Sequence, residues 1–208
     1  MITVVCTGGE APPTSLSLSW LDAGQRTIAV DGALALMRRW GRTADLWIGD
    51  GDSLPGKVTD WAPWCREIRL LDPAKDDTDT EAAVKAALDG GAKEIWLLGG
   101  SGGRMDHWWA NLRLAANQPA LTRWLTRHEE IWNLQSGAQL EVPPGTISIF
   151  PLGSGPWKIQ SEGLQWSLDH VDFLQWHSLS NKALLSGAKL TVKTGNFLVL
   201  RPWGIPGE

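Results

Sequence analysis

Two aspartates, one residue apart, close an apolar run in LWIGDGDSLPG, residues 46–56. Carboxylates this close repel one another and raise each other's pKa, so a chain that crowds them gains most by sharing a cation between them. More acids recur downstream in DPAKDDTDTE (72–81), which carries Lys75, Asp76 and Asp79, and upstream in VDGA (30–33), which carries Asp31 and Gly32. Oxygen ligands without Cys or His neighbours suit Mg²⁺, which keeps several waters and bridges to phosphates. GGSGGRMDH (99–107) adds Gly100, Gly102, Gly103 and Arg104. Glycines where a strand turns into a helix let backbone N–H groups approach a phosphate at the helix N-terminus, and an arginine fork can clamp it. Together these are the parts of phosphoryl-type transfer, in which positioning and charge do most of the catalysis. Each piece alone has a plainer reading: DGD as a turn, KDDTDTE as an acidic helix start, GGSGG as a loop. Their conjunction carries the argument. GGSGGRMD lacks the G-K-[ST] ending of a P-loop, and TGGEAPP does not enter a helix as a dinucleotide fingerprint would.

The elements that must position these residues alternate over the first two-thirds of the chain. ITVVC (2–6), TIAV (27–30), DLWI (45–48), EIRLL (67–71) and EIWLLGG (94–100) read as strands. DGALALMRRW has helical spacing. TEAAVKAALD is introduced by a Thr78-x-x-Glu81 capping box and stops at Gly90-Gly91, and a further helix opens in SGGRMDHWWANLRLAANQ. Short apolar strands alternating with helices imply a mostly parallel sheet covered on both faces. Ligands of such sheets bind beyond the carboxyl ends of the strands, and there the acids and glycines collect. From about residue 131 the texture changes to short alternating runs (IWNLQ, QLEV, TISIFPL, WKIQ, LQWSL, KLTVK, FLVLRP) separated by PPG, GSGP, SGA and TGN, as in an antiparallel sandwich or barrel. The expected fold class is α/β: an N-terminal, mostly parallel α/β sandwich domain (1–130) and a C-terminal antiparallel β-sandwich domain (131–208), with the boundary near 125–135.

The chain has 208 residues, 43% hydrophobic and 20% charged, with a net charge of −4. No Lys/Arg run offers a nucleic-acid surface. No apolar span is long enough to cross a membrane, and MITVVCTGGE reads as a first strand rather than a signal peptide. Two distant cysteines, Cys6 and Cys65, fit reduced thiols in a cytoplasmic protein, and four scattered histidines make a zinc site an unfavoured reading. Fourteen tryptophans against three phenylalanines and no tyrosine mean that indoles fill places where smaller aromatics usually pack.

In this order, VDGA (30–33), GDGDS (49–53), DPAKDDTDTE (72–81), GGSGGRMDHWWANL (99–112) and SLSN (178–181) resemble the thiamine pyrophosphokinase family, from residue 2 to about 200. The resemblance implies an α/β domain followed by a β-sandwich. It implies transfer of pyrophosphate from ATP to the hydroxyethyl group of thiamine, giving thiamine diphosphate and AMP, with Mg²⁺ as cofactor. It implies a homodimer with the thiamine site built between subunits. Carried over by position, Asp50, Asp52 and Asp79 would bind Mg²⁺, and Lys75 and Asp76 would lie near the transferred phosphates. Asp31 and Gly32 would sit near the nucleotide or the metal's water shell. Gly100, Gly102 and Gly103 would cradle ATP, and Arg104, Asp106 and His107 would contact it or hold the loop that does. Ser180 and Asn181 would hydrogen-bond the thiamine pyrimidine. Trp166 or Trp176 would stack on the thiazolium, with β-domain packing the plainer reading for both. Two departures stand out: Ala33 where the family has a second glycine, and Trp108-Trp109 where it has smaller residues. The two tryptophans are expected to pack against a neighbouring element or a second subunit. Competing readings are a pyrophosphokinase for another alcohol, such as a pterin, and a non-catalytic nucleotide or thiamine sensor. The complete acid set argues against the sensor.

Overall fold

The structure is a computed structural model and describes residues 1–203. Its contacts divide the chain into two compact units: residues 1–114 with 124–127, and residues 115–123 with the rest of the C-terminal part.

In the first unit, five parallel strands lie in the order β5-β1-β2-β3-β4: β1 (Ile2–Cys6), β2 (Arg26–Val30), β3 (Ala44–Gly49), β4 (Cys65–Leu70) and β5 (Glu94–Leu98). Val4, Val5, Ile28, Leu46, Ile95 and Leu97 are fully buried, as expected of strands covered on both faces. The covering helices are α1 (Thr14–Ala23), α2 (Ala33–Arg39), α3 (Asp79–Asp89) and α4 (Met105–Asn117). The capping box forms as read: the Glu81 N–H donates to Thr78 Oγ1 at 3.2 Å, and the Thr78 N–H to Glu81 Oε2 at 2.8 Å. Sequence patterning does not reveal α1, because Leu16, Leu18 and Trp20 recur every second residue, as in a strand. Its core contact comes from Ser17, Trp20 and Leu21. A 3₁₀ segment, Val58–Trp64, also escapes patterning; the Arg38 guanidinium of α2 lies over its Trp61 and Trp64 rings at 5.3 and 5.2 Å. The division between the units falls inside β6 (Leu121–Leu125).

The second unit is a β-sandwich. One sheet runs β11-β9-β13-β7: β7 (Glu129–Leu134), β9 (Gly145–Leu152), β11 (Ser178–Ala183) and β13 (Asn196–Pro202). The other runs β10-β12-β8: β8 (Gln139–Val142), β10 (Lys158–Glu162) and β12 (Ala188–Thr194). All pairings within them are antiparallel. Ile147, Ile149, Phe197 and Val199 of the first sheet meet Ile159, Leu190 and Val192 of the second in one core. LQWSL departs from its reading as a strand and contributes only a bridge from Leu164 to Ala183. Side chains replace the ladder there: Asn181 binds both the N–H and the C=O of Trp166, and the Leu168 N–H donates to Ser161 Oγ at 2.9 Å. Among the described residues, no helix is long and apolar enough to cross a membrane.

Candidate active site

The carboxyl ends of the parallel strands carry the acids. Asp31 follows β2, Asp50 follows β3 and Asp79 opens α3 after the loop from β4. One carboxylate oxygen from each lies within 4.8 Å of the others, and all three side chains are half-buried. Asp31 Oδ1 is buried and has no hydrogen-bond partner among the described residues. Burial above all, then the charges of Asp52 and Asp50, hold the Asp31 carboxyl above its ordinary range, against a lowering hydrogen bond from Ser53. Gly49 permits this approach: a Cβ there would lie 3.0 Å from Asp31 Cα and Cβ. A divalent cation fits the cluster, since it consists of hard oxygen donors and includes a buried acceptor without a donor.

Asp52, expected among the metal ligands, lies outside this cluster. Its exposed carboxylate accepts from Ser53 Oγ at 2.8 Å, and its N–H donates to Asp50 Oδ1 at 3.1 Å. Asp31 completes the cluster instead. Lys75 Nζ reaches Asp79 Oδ1 at 2.8 Å, and that hydrogen bond is the main cause raising the Lys75 pKa, so the ammonium stays charged. Asp76 is exposed on the same loop.

The glycine loop after β5 is bound to the loop after β1. The Gly100 N–H donates to Gly8 O at 2.7 Å, and the Glu10 N–H to Ser101 O at 2.8 Å. Gly99, Gly100, Gly102 and Gly103 all have positive φ. At Gly100 a Cβ would also come within 2.6 Å of Asn111 Nδ2, which donates to Gly100 O at 2.9 Å. Buried Asn111 therefore fixes the loop from α4, and the Thr7–Thr80 hydroxyl pair at 2.7 Å ties the β1 end to the start of α3. No sequence motif marks these three. Their signal is a polar residue on an otherwise apolar face, which is weak without coordinates. Gly32 precedes α2 and backs onto Ser53. Arg104 and Asp106 pair at 2.5 Å on the surface, which lowers the Asp106 pKa, and the exposed His107 donates its N–H to Asp106 Oδ1. Trp108 is half-buried and Trp109 is 61% exposed, so Trp109 finds no packing of the kind expected within the described residues.

In the β-sandwich, a hollow of about 250 Å³ is lined by Trp166, His177, Ser178, Leu179 and Asn181, among others. Asn181 is 1% exposed and its amide is fully engaged. Nδ2 donates to Trp166 O at 2.8 Å and Ser178 Oγ at 3.1 Å, while Oδ1 accepts from the N–H groups of Trp166 and Lys182. It holds the hollow's wall rather than offering a free amide. Ser180 adopts φ 53°, with its N–H on Ser148 Oγ at 3.0 Å. Trp166 and Trp176 are 55% and 66% exposed. A wider cleft of about 770 Å³, near Pro143 and Leu185, carries none of the expected site residues.

A family model described as thiamin pyrophosphokinase, catalytic domain, matches residues 18–123. That span contains Asp31, Asp50, Asp79, Lys75 and the glycine loop. No curated protein matches. Among solved structures, the thiamine pyrophosphokinase from Bacillus subtilis aligns with TM-score 0.78 at 19% identity, over 99% of this chain and 100% of that one. The enzyme from Geobacillus thermodenitrificans aligns with TM-score 0.75 at 22% identity, over 99% of both chains. The enzyme from Candida albicans aligns with TM-score 0.68 at 16% identity, over 96% of this chain and 88% of that one. The structural likenesses establish the fold, and the family match spans half of the chain. The chain belongs to the thiamin pyrophosphokinase family.

Proposed function

We propose that the protein transfers pyrophosphate from ATP to the hydroxyethyl oxygen of thiamine, yielding thiamine diphosphate and AMP. The observation that carries this reading is the Asp31–Asp50–Asp79 cluster, lying within the residues that match the family. These three residues would hold a divalent cation, Mg²⁺ by the hardness of its ligands, and the exposed Asp52 would bind one of the cation's waters. When bound, the cation supplies charge neutralisation for the ATP phosphates. Lys75, kept cationic by Asp79, faces the transferred phosphates, and Arg104 and the N–H groups of Gly102 and Gly103 hold the polyphosphate in line, the Gly100 N–H being engaged by Gly8. The thiamine oxygen forms a bond to the β-phosphorus, and the bond from the β-phosphorus to the bridging oxygen breaks. AMP departs with the electron pair, and a carboxylate of the acidic loop takes the hydroxyl proton.

Thiamine would lie against the hollow beside Trp166, with an exposed indole facing the thiazolium cation. The exposed Trp166, Leu174, Trp176 and Leu179 favour a homodimer that covers them. Two free cysteines, Cys6 buried, accord with a cytoplasmic setting. The test is to incubate purified protein with ATP, Mg²⁺ and thiamine and separate the products by chromatography. AMP and thiamine diphosphate in equal amounts are expected. ADP with thiamine monophosphate would refute pyrophosphoryl transfer, and no product from thiamine would refute the acceptor.

A further inference from the structure

Trp47 is fully buried on β3, two residues before the Gly49 that abuts Asp31. Its indole N–H donates to the Asp31 carbonyl at 3.0 Å. Asp31 has φ 44°, in the left-handed region that costs an L-residue energy unless its surroundings hold it there. Asp31 is held at both ends by β3: its N–H donates to Ile48 O at 2.9 Å, and its carbonyl receives the indole. The β2–β3 register, Ala29 opposite Trp47 and Val30 opposite Ile48, stops one residue earlier. The indole therefore extends the pairing past the end of the strand, where the backbone turns. The far edge of the same ring, Cη2, lies 3.8 Å from where a Cβ would stand on Gly51, the positive-φ residue between Asp50 and Asp52. The side chain thus braces the turn that carries Asp31 and runs beside the one that carries Asp50. Aliphatic residues could fill this core position, but only a side chain with a donor at its far end also reaches the Asp31 carbonyl.

We infer that Trp47 is a positioning residue for the acid cluster: its indole N–H holds Asp31 in the left-handed conformation that brings its carboxylate to Asp50 and Asp79. This rests on the reading of the cluster as a divalent-cation site.

The test uses the full chain stripped of metal, with Mn²⁺ alone as the probe. Free Mn²⁺ is followed by electron paramagnetic resonance in wild type, Trp47→Phe and Trp20→Phe. Trp20 is a buried indole of α1 that packs on Trp96 of β5. Trp47→Phe keeps an aromatic ring in the core but loses the donor and part of the indole's volume, as Trp20→Phe does, and is expected to weaken Mn²⁺ binding about tenfold. Trp20→Phe is expected to bind as wild type does. In turnover, the apparent KM for Mg²⁺ should rise in Trp47→Phe while the KM for thiamine stays in place. A second readout needs no core variant: in wild-type protein labelled with ¹⁵N at tryptophan, Mg²⁺ should shift an indole N–H resonance that Mn²⁺ broadens. Equal Mn²⁺ affinity in wild type and Trp47→Phe, or no indole resonance responding to Mg²⁺, overturns the inference alone. Absence of Mn²⁺ binding in the wild type removes the cation site and the inference together.

Discussion

Asp50→Asn separates what the acid cluster does for function from what it does to stability. The change keeps the side chain's shape, and its Oδ1 can still accept from the Asp52 N–H. It removes one of three charges whose oxygens lie within 4.8 Å of one another. At that distance and an effective dielectric near 20, two unit charges repel by about 3.5 kcal/mol. Lys75 offsets much of the Asp79 charge at 2.8 Å, and all three acids are half-buried, so water and salt reduce the net relief to on the order of 1 kcal/mol. For a chain of this size that is roughly a 2–4 °C rise in melting temperature. In EDTA, Asp50→Asn is therefore expected to melt higher than wild type. Adding Mg²⁺ should reverse the order. A cation at tenfold excess over its dissociation constant adds about 1.4 kcal/mol to a protein that binds it. The wild type should gain this and Asp50→Asn should not, while its turnover falls at least a hundredfold. If Asp50→Asn melts lower than wild type in EDTA and both rise alike with Mg²⁺, the cluster is not a repulsive site relieved by a cation.

Three further outcomes are expected. The Asp31 carboxyl titrates above its ordinary range, so in metal-free protein its contribution favours the fold at low pH and is lost as pH rises through that raised value. Melting curves of wild type and Asp31→Asn in EDTA should therefore diverge as pH rises, with the variant the more stable at neutral pH; parallel curves would contradict this. Asn181→Ala frees the Trp166 segment and leaves its partly buried backbone N–H and C=O unpaired. It should raise the KM for thiamine roughly tenfold, the equivalent of about 1.4 kcal/mol, with little change for ATP, as steady-state kinetics would show. Burial pushes the Cys6 thiol up to about 12, so iodoacetamide at pH 8 should leave it unmodified in the native protein and label it only after unfolding, as peptide mapping would show.

The inner parallel strands β1, β2, β3 and β5 were legible because a strand covered on both faces is a short apolar run, whereas β4 is largely exposed and shows only as EIRLL; the start of α3 was legible because its capping box is written in two residues, Thr78 and Glu81. The rim followed from topology, since acids placed after several parallel strands must meet at one edge. What escaped depends on tertiary partners. The alternation of Leu16, Leu18 and Trp20 conceals α1, and LQWSL has strand composition, yet Asn181 and Ser161 claim its backbone groups. The family resemblance implies a place for Asp31 near the nucleotide or a metal's water shell. It joins the cluster because β3 holds it at φ 44°, which no local pattern encodes. The resemblance implies Asn181 as a ligand for thiamine, and its four hydrogen bonds within the chain become visible only once the fold brings residues 166 and 178 to it.

The most direct test of pyrophosphoryl transfer is a single turnover with ATP labelled at the β-phosphorus, with thiamine and Mg²⁺ present. Attack at the β-phosphorus places the label in thiamine diphosphate and leaves unlabelled AMP, the result expected here. Label retained in ADP, with unlabelled phosphate on thiamine, would show attack at the γ-phosphorus and contradict the proposed reaction.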